Sequence, residues 1–203
     1  GTIVWKSRQE MAKGNIGYEE FLDIVSSSAP SVGHCNTMGT ASTMNALAEA
    51  LGMSLPGCAA IPAPYRERGQ IAYETGKRIV DMVWEDLTPD RIVTDSSMRN
   101  AAIVAMATGC STNAVVHLIA MARRAGINMT LDELDALGRE TPLIANVRPS
   151  GKDYLMEDFY YAGGLRALME QLRGRLDVSA LTVTGKTVGE NIAGAKVHND
   201  DVI

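Results

Sequence analysis

The sequence predicts a helix-rich α/β fold in which many helices surround few strands. Helical spacing of apolar residues recurs along most of the chain, whereas "LIANV" is the best candidate for a short buried strand. Glycine, proline and hydroxyl residues separate the helical stretches, as is typical of helix ends. At 203 residues the chain is long enough to bury a sizeable core, so layers of helices and strands can pack together.

Three helices are predicted in the first part of the chain. "GYEEFLDIVSSSAP" is typical of a short amphipathic helix that ends before Pro30. A second helix is predicted from Ala41 to Leu51, with Gly52 as its C-cap. Its apolar residues recur at i, i+3, i+4 and i+7 and form one face: Met44, Leu47, Ala48 and Leu51. After a proline-rich loop, "YRERGQIAYETGKRIVDMVWEDL" predicts a third helix with Pro64 in its first turn.

Four further helices are predicted in the middle of the chain. Thr88 is the expected N-cap of a short helix that has Pro89 at its first position. "TDSSMRNAAIVAMATG" and "STNAVVHLIAMARRAG" each begin with hydroxyl residues and close with glycine. The second of these is apolar nearly all round, which predicts burial on several sides. Thr130 and Glu133 form a capping box at the start of "TLDELDALGRETP".

The C-terminal part of the chain is predicted to hold the main strand. "LIANVRPSG" combines a short apolar run with a flanking proline on each side, Pro142 and Pro149. "DYLMEDFYYAGGLRALMEQLRG" predicts a helix that is broken or kinked at Gly163 and Gly164. The remaining residues combine a short β-rich run with turns.

Composition disfavours several classes of function. The net charge of -5, with Lys and Arg scattered, argues against a nucleic-acid-binding protein. No apolar run reaches the roughly 18 residues that cross a bilayer, and no signal peptide pattern begins the sequence. Three cysteines at long spacings, Cys35, Cys58 and Cys110, do not form a disulfide framework. A cytoplasmic location is therefore predicted.

Several residues that could carry chemistry have a simpler structural interpretation. "TVTGKTVGE" lacks the glycine that a phosphate-binding loop needs at position 180, which is Ala, so it predicts a plain turn. His117 lies within an apolar helix and is interpreted as a core or interface residue. Cys110 begins a helix whose dipole would lower a thiol pKa, but we favour a small residue packed at a tight turn. Cys58 is interpreted as structural.

Cys35 has a setting that suits a ligand better than a core residue. It precedes "NTMGTASTMN", where hydroxyls and the amides of a helix start can bind an anion or the sulfurs of a cluster. Iron–sulfur clusters need several thiolates, so this cysteine alone could not hold one. Because His34 is its neighbour, a Cys–His nucleophile is also considered.

These residues resemble motifs of the dihydroxy-acid, phosphogluconate and sugar-acid dehydratase family. Its glycine–cysteine segment followed by "M-x-T-A-x-T-M" is matched by Cys35, Met38, Thr40, Ala41, Thr43 and Met44. "GCSTNAVVHL" resembles the family's "G-G-S-T-N-A-x-x-H-L", and "PSGKDYLMEDFYYAGG" resembles its "P-x-G-x-x-x-M-x-D-x-x-x-A-G-G". The matches follow in order along essentially the whole chain. "GHCNTMGTASTMN" is more similar to the sugar-acid (aldonate) branch, which includes arabinonate dehydratases.

The resemblance implies an iron–sulfur-dependent hydro-lyase that converts a 2,3-dihydroxy acid, here a sugar acid, to a 2-keto-3-deoxy acid. It implies that Cys35 is one ligand of the cluster, with 2Fe–2S favoured over 4Fe–4S. Five residues are expected around the cluster or the substrate: His34, Asn36, Thr37, Met38 and Thr40. The other cluster cysteines, the Mg²⁺ ligands and the catalytic serine match no residue of this segment, so no catalytic residue is expected in it.

The resemblance also implies a place within a longer enzyme. Residues 1–203 are expected to be the central, helix-rich part of a three-layer α/β/α N-terminal domain. A connection to a β-rich C-terminal domain is expected to begin after about residue 175. The expected partners are the small-molecule acid, the remainder of the enzyme chain and further copies in a homodimer or homotetramer, with neither nucleic acid nor membrane. The isolated segment is expected to be inactive and to bind no intact cluster.

The sequence is also compatible with two different functions. The enzyme could be the dihydroxy-acid dehydratase of branched-chain amino-acid biosynthesis. The chain could instead be a non-catalytic module that kept the fold.

Overall fold

The computed structural model describes residues 2–29 and 31–203, with the side chain of residue 2 left out. These residues form eleven α-helices and no strand longer than an isolated bridge. The helices are α1 Thr2–Ala12, α2 Tyr18–Ser27, α3 Thr40–Ala50, α4 Arg66–Trp84, α5 Pro89–Ile92, α6 Asp95–Thr108, α7 Asn113–Arg124, α8 Leu131–Glu140, α9 Met156–Tyr161, α10 Gly164–Gln171 and α11 Val188–Ile192. Pro30, which was expected to follow the end of α2, lies outside the described residues. None of the described helices has the length and apolar character needed to cross a membrane.

Most of the predicted helices are present, and their ends follow the expected chemistry. Thr94 and Thr130 cap α6 and α8 through reciprocal hydrogen bonds with the third helical residue. The break at Gly163 and Gly164 is confirmed, because both residues have positive φ between α9 and α10. Two details differ: Pro64 lies before the N-cap of α4 rather than in its first turn, and the prediction did not include α1.

The helix-rich character is confirmed, whereas the strand predicted at "LIANVRPSG" is wrong for the described residues. Residues 142–146 have no regular structure, residues 148–150 form a turn, and the segment makes only one bridge, between Val147 and Tyr154. Its neighbouring amides bond elsewhere: Ile144 N–H donates to Ala107 O at the end of α6, and Asn146 N–H donates to Val202 O. A strand needs a second extended segment beside it, and here helix ends and the C-terminal turn take that place.

The C-terminal segment also differs from the predicted β-rich run. Its pairing is limited to an antiparallel bridge between Leu181 and Thr187. Thr187 then caps the short helix α11, so the turn at "TGKT" leads into a helix.

The described chain forms two compact units, Gly1–Cys35 and Asn36–Ile203. In the second unit α6 is the central helix, with ten of its fourteen residues buried. By contrast α7 buries one stripe, Ala114, Leu118 and Ala122, while Val116 is 68% exposed and His117 is exposed. The predicted burial of α7 on several sides is therefore wrong within this chain, and His117 is not a core residue.

Candidate functional site

Three loops meet at one place in the second unit, and each contains a motif singled out in the sequence. They are residues 36–39 before α3, residues 109–112 before α7, and residues 147–155 before α9. Met38 is buried, and its N–H donates to Arg148 O at 2.8 Å. Ser150 Oγ donates to Gly109 O at 2.7 Å. Hydrogen bonds to main-chain oxygens therefore join the third loop to each of the other two.

A cluster of hydroxyl and amide side chains joins the first two loops. Thr40 Oγ1 lies 3.1 Å from Ser111 Oγ, and Asn113 Nδ2 donates to Thr40 Oγ1 at 2.8 Å. Ser111 N–H donates to the buried Thr43 Oγ1 at 3.1 Å. The sequence prediction included Thr40 in the site but not Ser111 or Asn113, although both lie in the quoted "GCSTNAV". Helix starts that face each other bring these side chains together.

Asn36 is held firmly at the N-terminus of α9. Its Oδ1 accepts from Glu157 N–H at 2.9 Å, and its main-chain O accepts from Met156 N–H at 3.3 Å. These are amides that a helix start leaves without an intrahelical partner. Asn36 therefore acts as an added cap, and the residue covalently linked to Cys35 has a fixed position in the second unit.

Thr37 shapes the turn between Asn36 and α3. Its main-chain O accepts from Gly39 N–H at 2.8 Å and from Ser42 Oγ at 2.7 Å. This tight turn leads directly into the first residues of α3, where Thr40 contributes to the hydroxyl cluster. The expected site residues Asn36, Thr37, Met38 and Thr40 thus lie in or beside one rigid loop.

Cys35 and His34 end the first unit. The thiol-bearing residue Cys35 is exposed, and His34 Nδ1 lies 3.0 Å from the main-chain O of Cys35. A hydrogen bond to a carbonyl oxygen does not remove a proton from a thiol. This contact therefore gives no support to a Cys–His nucleophile.

The other two cysteines have structural surroundings. Arg68 Nη1 lies 3.4 Å from Cys58 Sγ, in the 3₁₀ turn Cys58–Ala60. Burial raises the pKa of the Cys110 thiol, and Cys110 packs against the hydrophobic core. This agrees with a packed small residue at Cys110 and opposes a thiolate activated by the helix dipole.

The described part of the chain does not bring together a complete set of metal ligands. No group of three or more His, Cys, Asp or Glu side chains in residues 2–29 and 31–203 could hold a metal ion. Cys35 is exposed and can supply one thiolate, and clusters need several. The role of Cys35 as a ligand stays a prediction.

The third loop depends on glycine and carries two exposed cations. A Cβ on Gly151 would lie 2.3 Å from the main-chain carbon of Asn146, so a side chain cannot be accommodated there. Asn146 Oδ1 accepts from Lys152 N–H at 3.1 Å, and Arg148 Nε donates to Lys152 O at 2.6 Å. Arg148 and Lys152 are exposed, and their loop contacts the two loops that the hydroxyl cluster joins. The sequence prediction had not assigned either cation to the site.

A buried carboxylate supports α3 at the end away from this site. Glu49 accepts from Gly57 N–H at 2.6 Å and from Ala59 N–H at 2.8 Å. Burial of Glu49 raises its pKa to about 7. The two hydrogen bonds and the positive charges of Arg166 and Arg68 act in the opposite direction and lower the pKa. Glu49 thereby holds the "LPGCAA" turn against α3, a role that no sequence signal had indicated.

Comparison with known proteins identifies the family. Residues 2–191 match the model of the dihydroxy-acid/6-phosphogluconate dehydratase N-terminal domain. The chain belongs to this dehydratase family. The three loops of the candidate site all lie within the residues that match the dehydratase N-terminal domain.

Its relatives include sugar-acid and dihydroxy-acid dehydratases. D-xylonate dehydratase of Caulobacter vibrioides is 55% identical over 100% of the chain and 34% of its own length. L-arabinonate dehydratase of Rhizobium leguminosarum bv. trifolii is 48% identical, over 100% and 35%. Dihydroxy-acid dehydratase of Caldanaerobacter subterraneus is 44% identical, over 100% and 36%. The chain spans about a third of the length of these relatives.

Proposed function

We propose that the full-length protein is an iron–sulfur-dependent dehydratase that converts a sugar acid to its 2-keto-3-deoxy acid. The observation that carries this proposal is that three loops with family motifs, residues 36–39, 109–112 and 147–155, meet in one polar junction. The first of these loops begins at the residue after Cys35. Relatives named for D-xylonate and L-arabinonate support a sugar acid as the substrate class. A polyhydroxylated anion needs many hydrogen-bonding groups and a positive charge, and the junction offers both.

The residues of this chain would bind and orient rather than perform the bond-breaking step. Thr40, Ser111 and Asn113 supply hydroxyl and amide groups, with Thr40 Oγ1 within 3.1 Å of both neighbours. Arg148 and Lys152 supply positive charge near the same loops. Cys35 would contribute one thiolate to the cluster, which when bound would supply Lewis-acid chemistry for loss of the hydroxyl group.

The remaining parts of the proposal concern the rest of the enzyme. Mg²⁺ would be bound by residues outside this chain, and a 2Fe–2S cluster is favoured over 4Fe–4S. The whole N-terminal domain would be a three-layer α/β/α structure whose helix-rich part lies in residues 1–203. The enzyme would assemble as a homodimer or homotetramer in the cytoplasm.

Substitution of Cys35 in the full-length protein tests the proposal. Cys35→Ser removes the thiolate with little change of shape, so cluster absorbance and 2-keto acid formation from D-xylonate or L-arabinonate should both be lost. Cys58→Ser is the matched control and should retain the visible spectrum. A Cys35→Ser protein with unchanged colour and turnover would refute Cys35 as a ligand and would favour the non-catalytic module.

A panel of acids separates the proposal from its nearest alternative. The 44% identical relative is named dihydroxy-acid dehydratase, so a branched-chain 2,3-dihydroxy acid belongs in the panel. We expect kcat/KM to be at least tenfold higher for an aldonate. The reverse preference would assign the enzyme to branched-chain amino-acid biosynthesis. Rapid alkylation of Cys35 in an iron-free but active enzyme would instead favour a thiol nucleophile.

A further inference from the structure

The long helix α4 exposes an apolar face that residues 2–29 and 31–203 leave uncovered. Only Met82 of its 19 residues is buried. At 3.6 residues per turn, one face comprises residues without any charge: Gly69, Ala72, Tyr73, Gly76, Ile79, Val80 and Val83. Val83 is 73% exposed, and Trp84, at the edge of this face, is 85% exposed. We call these seven residues the α4 face.

The two glycines of the α4 face are not required by contacts with the other described residues. Both lie inside the helix, where glycine is less favourable than alanine. A Cβ at Gly69 or at Gly76 would meet no atom of the described residues within 4 Å, so neither glycine is needed for local packing. Glycine in such a position allows the backbone of another element to approach closely.

We infer that the α4 face is the interface between two copies of this protein, with their α4 helices antiparallel about a twofold axis at Gly76. In this register, residues equally distant from Gly76 meet across the axis. Gly69 lies opposite the partner's Val83, and Ala72 lies opposite the partner's Val80. Small residues thus face larger ones at these two pairs, while two large residues, Tyr73 and the partner's Ile79, meet nearer the axis. A single surface is complementary to itself, as a twofold interface requires.

Charge favours this direction over a parallel pair. The first turn of α4 carries Arg66, Glu67 and Arg68 and has a net positive charge. Near its end, Asp81 and the following Glu85 and Asp86 outnumber the cations Lys77 and Arg78, although Arg78 pairs with Glu85. Antiparallel packing places the basic start beside the acidic end and also opposes the two helix dipoles. The side chain of Arg66 is 80% exposed on the flank that carries Trp84, so it can lie over the partner's Trp84. Parallel packing would place Arg66 beside Arg66 and valine beside valine.

The full-length protein tests this inference, independently of its proposed chemistry. Val80→Glu places a carboxylate in the α4 face, whereas Gln70→Glu adds the same charge on the flank of the same exposed helix. We expect Val80→Glu to weaken self-association at least tenfold and halve the mass measured by light scattering. Gln70→Glu should behave as the wild-type protein, and circular dichroism should show both variants folded.

Cross-linking tests the register directly. Ala72→Cys with Val80→Cys should give a disulfide-linked dimer on oxidation, because the two positions face each other only across the twofold axis. Glu74→Cys with Asp81→Cys, on the other side of α4, is the control and should not. The inference is overturned if the wild-type protein is monomeric, or if Val80→Glu leaves its mass unchanged. It is also overturned if only the control pair cross-links or neither pair does, since another part of the enzyme would then cover the face.

Discussion

Removing the charge of Glu49 should change how the stability of the protein depends on pH. Its carboxylate is buried on α3 and binds the N–H groups of Gly57 and Ala59. Burial raises its pKa to about 7 from an ordinary value of 4.5. Glu49→Gln keeps the shape of the side chain and abolishes the titration.

The magnitude follows from the raised pKa. Between pH 4.5 and about 7 the folded protein holds a proton at Glu49 that the unfolded chain has released. The contribution of Glu49 to the free energy of unfolding is therefore highest below pH 4.5 and falls as the pH rises through 7. One pKa unit corresponds to about 1.4 kcal/mol, so the contribution of Glu49 to the free energy of unfolding falls by about 3 kcal/mol over this range.

The Glu49→Gln protein does not lose this stability as the pH rises, but it is destabilised by a constant amount at every pH. Its amide oxygen can accept one N–H, while its NH₂ group faces the other, and an unsatisfied buried donor costs about 1–3 kcal/mol. Glu49→Gln should therefore be less stable than the wild-type protein at pH 5 and as stable or more stable at pH 8. The difference in unfolding free energy between the two proteins should change by about 3 kcal/mol between these pH values.

Urea unfolding followed by circular dichroism at pH 5, 6, 7 and 8 measures this difference. Comparison with the wild-type protein cancels every other group that titrates. The exposed Glu20→Gln on α2 controls for loss of a carboxylate from the unfolded chain. A difference that is constant within about 1 kcal/mol, or that changes with the opposite sign, would refute the assignment of a buried, protonated Glu49.

Three further predictions address the site loops, a helix cap and the isolated chain. Gly151→Ala should destabilise the protein by about 2 kcal/mol or more, because its Cβ would overlap the main chain of Asn146; thermal unfolding measures this, and an unchanged Tm would contradict it. Thr130→Ala should cost about 1 kcal/mol by removing the cap of α8, whereas Thr130→Ser should restore it; equal urea midpoints for the two variants would contradict the capping role. Residues 1–203 alone, incubated with iron and sulfide, should show no stoichiometric cluster absorbance, because they supply one suitable thiolate. A stable coloured complex that survives gel filtration would overturn that expectation.

The helices were largely predictable because the signals that form them are local. The apolar spacing of α3 and the capping boxes at Thr94 and Thr130 lie within a few residues of one another in the chain. The family was also recognisable, since its motifs are contiguous stretches around Cys35, Ser111 and the "PSGKDY" segment. The strand predicted at "LIANV" does not form, because no second extended segment of the described chain pairs with it. An apolar run in the sequence does not show whether such a partner will be present.

The candidate site was predictable only in part, for the same reason. Asn36, Thr37, Met38 and Thr40 follow Cys35 in the chain, so one motif was enough to name them. The cations Arg148 and Lys152 come from a loop more than a hundred positions later. Hydrogen bonds made by the fold, from Met38 N–H to Arg148 O and from Ser150 Oγ to Gly109 O, show that this loop belongs to the site.

The sequence by itself therefore determined the helices, their caps and the dehydratase family. The tertiary structure alone decided which helix is central. By composition α6 and α7 are similarly apolar, but α6 fills the core because its many alanines allow close packing on most of its sides. Tertiary structure also decided that Glu49 is buried and that α4 keeps an apolar face exposed. Periodicity reports which residues share a face of one helix, whereas burial depends on what packs against that face.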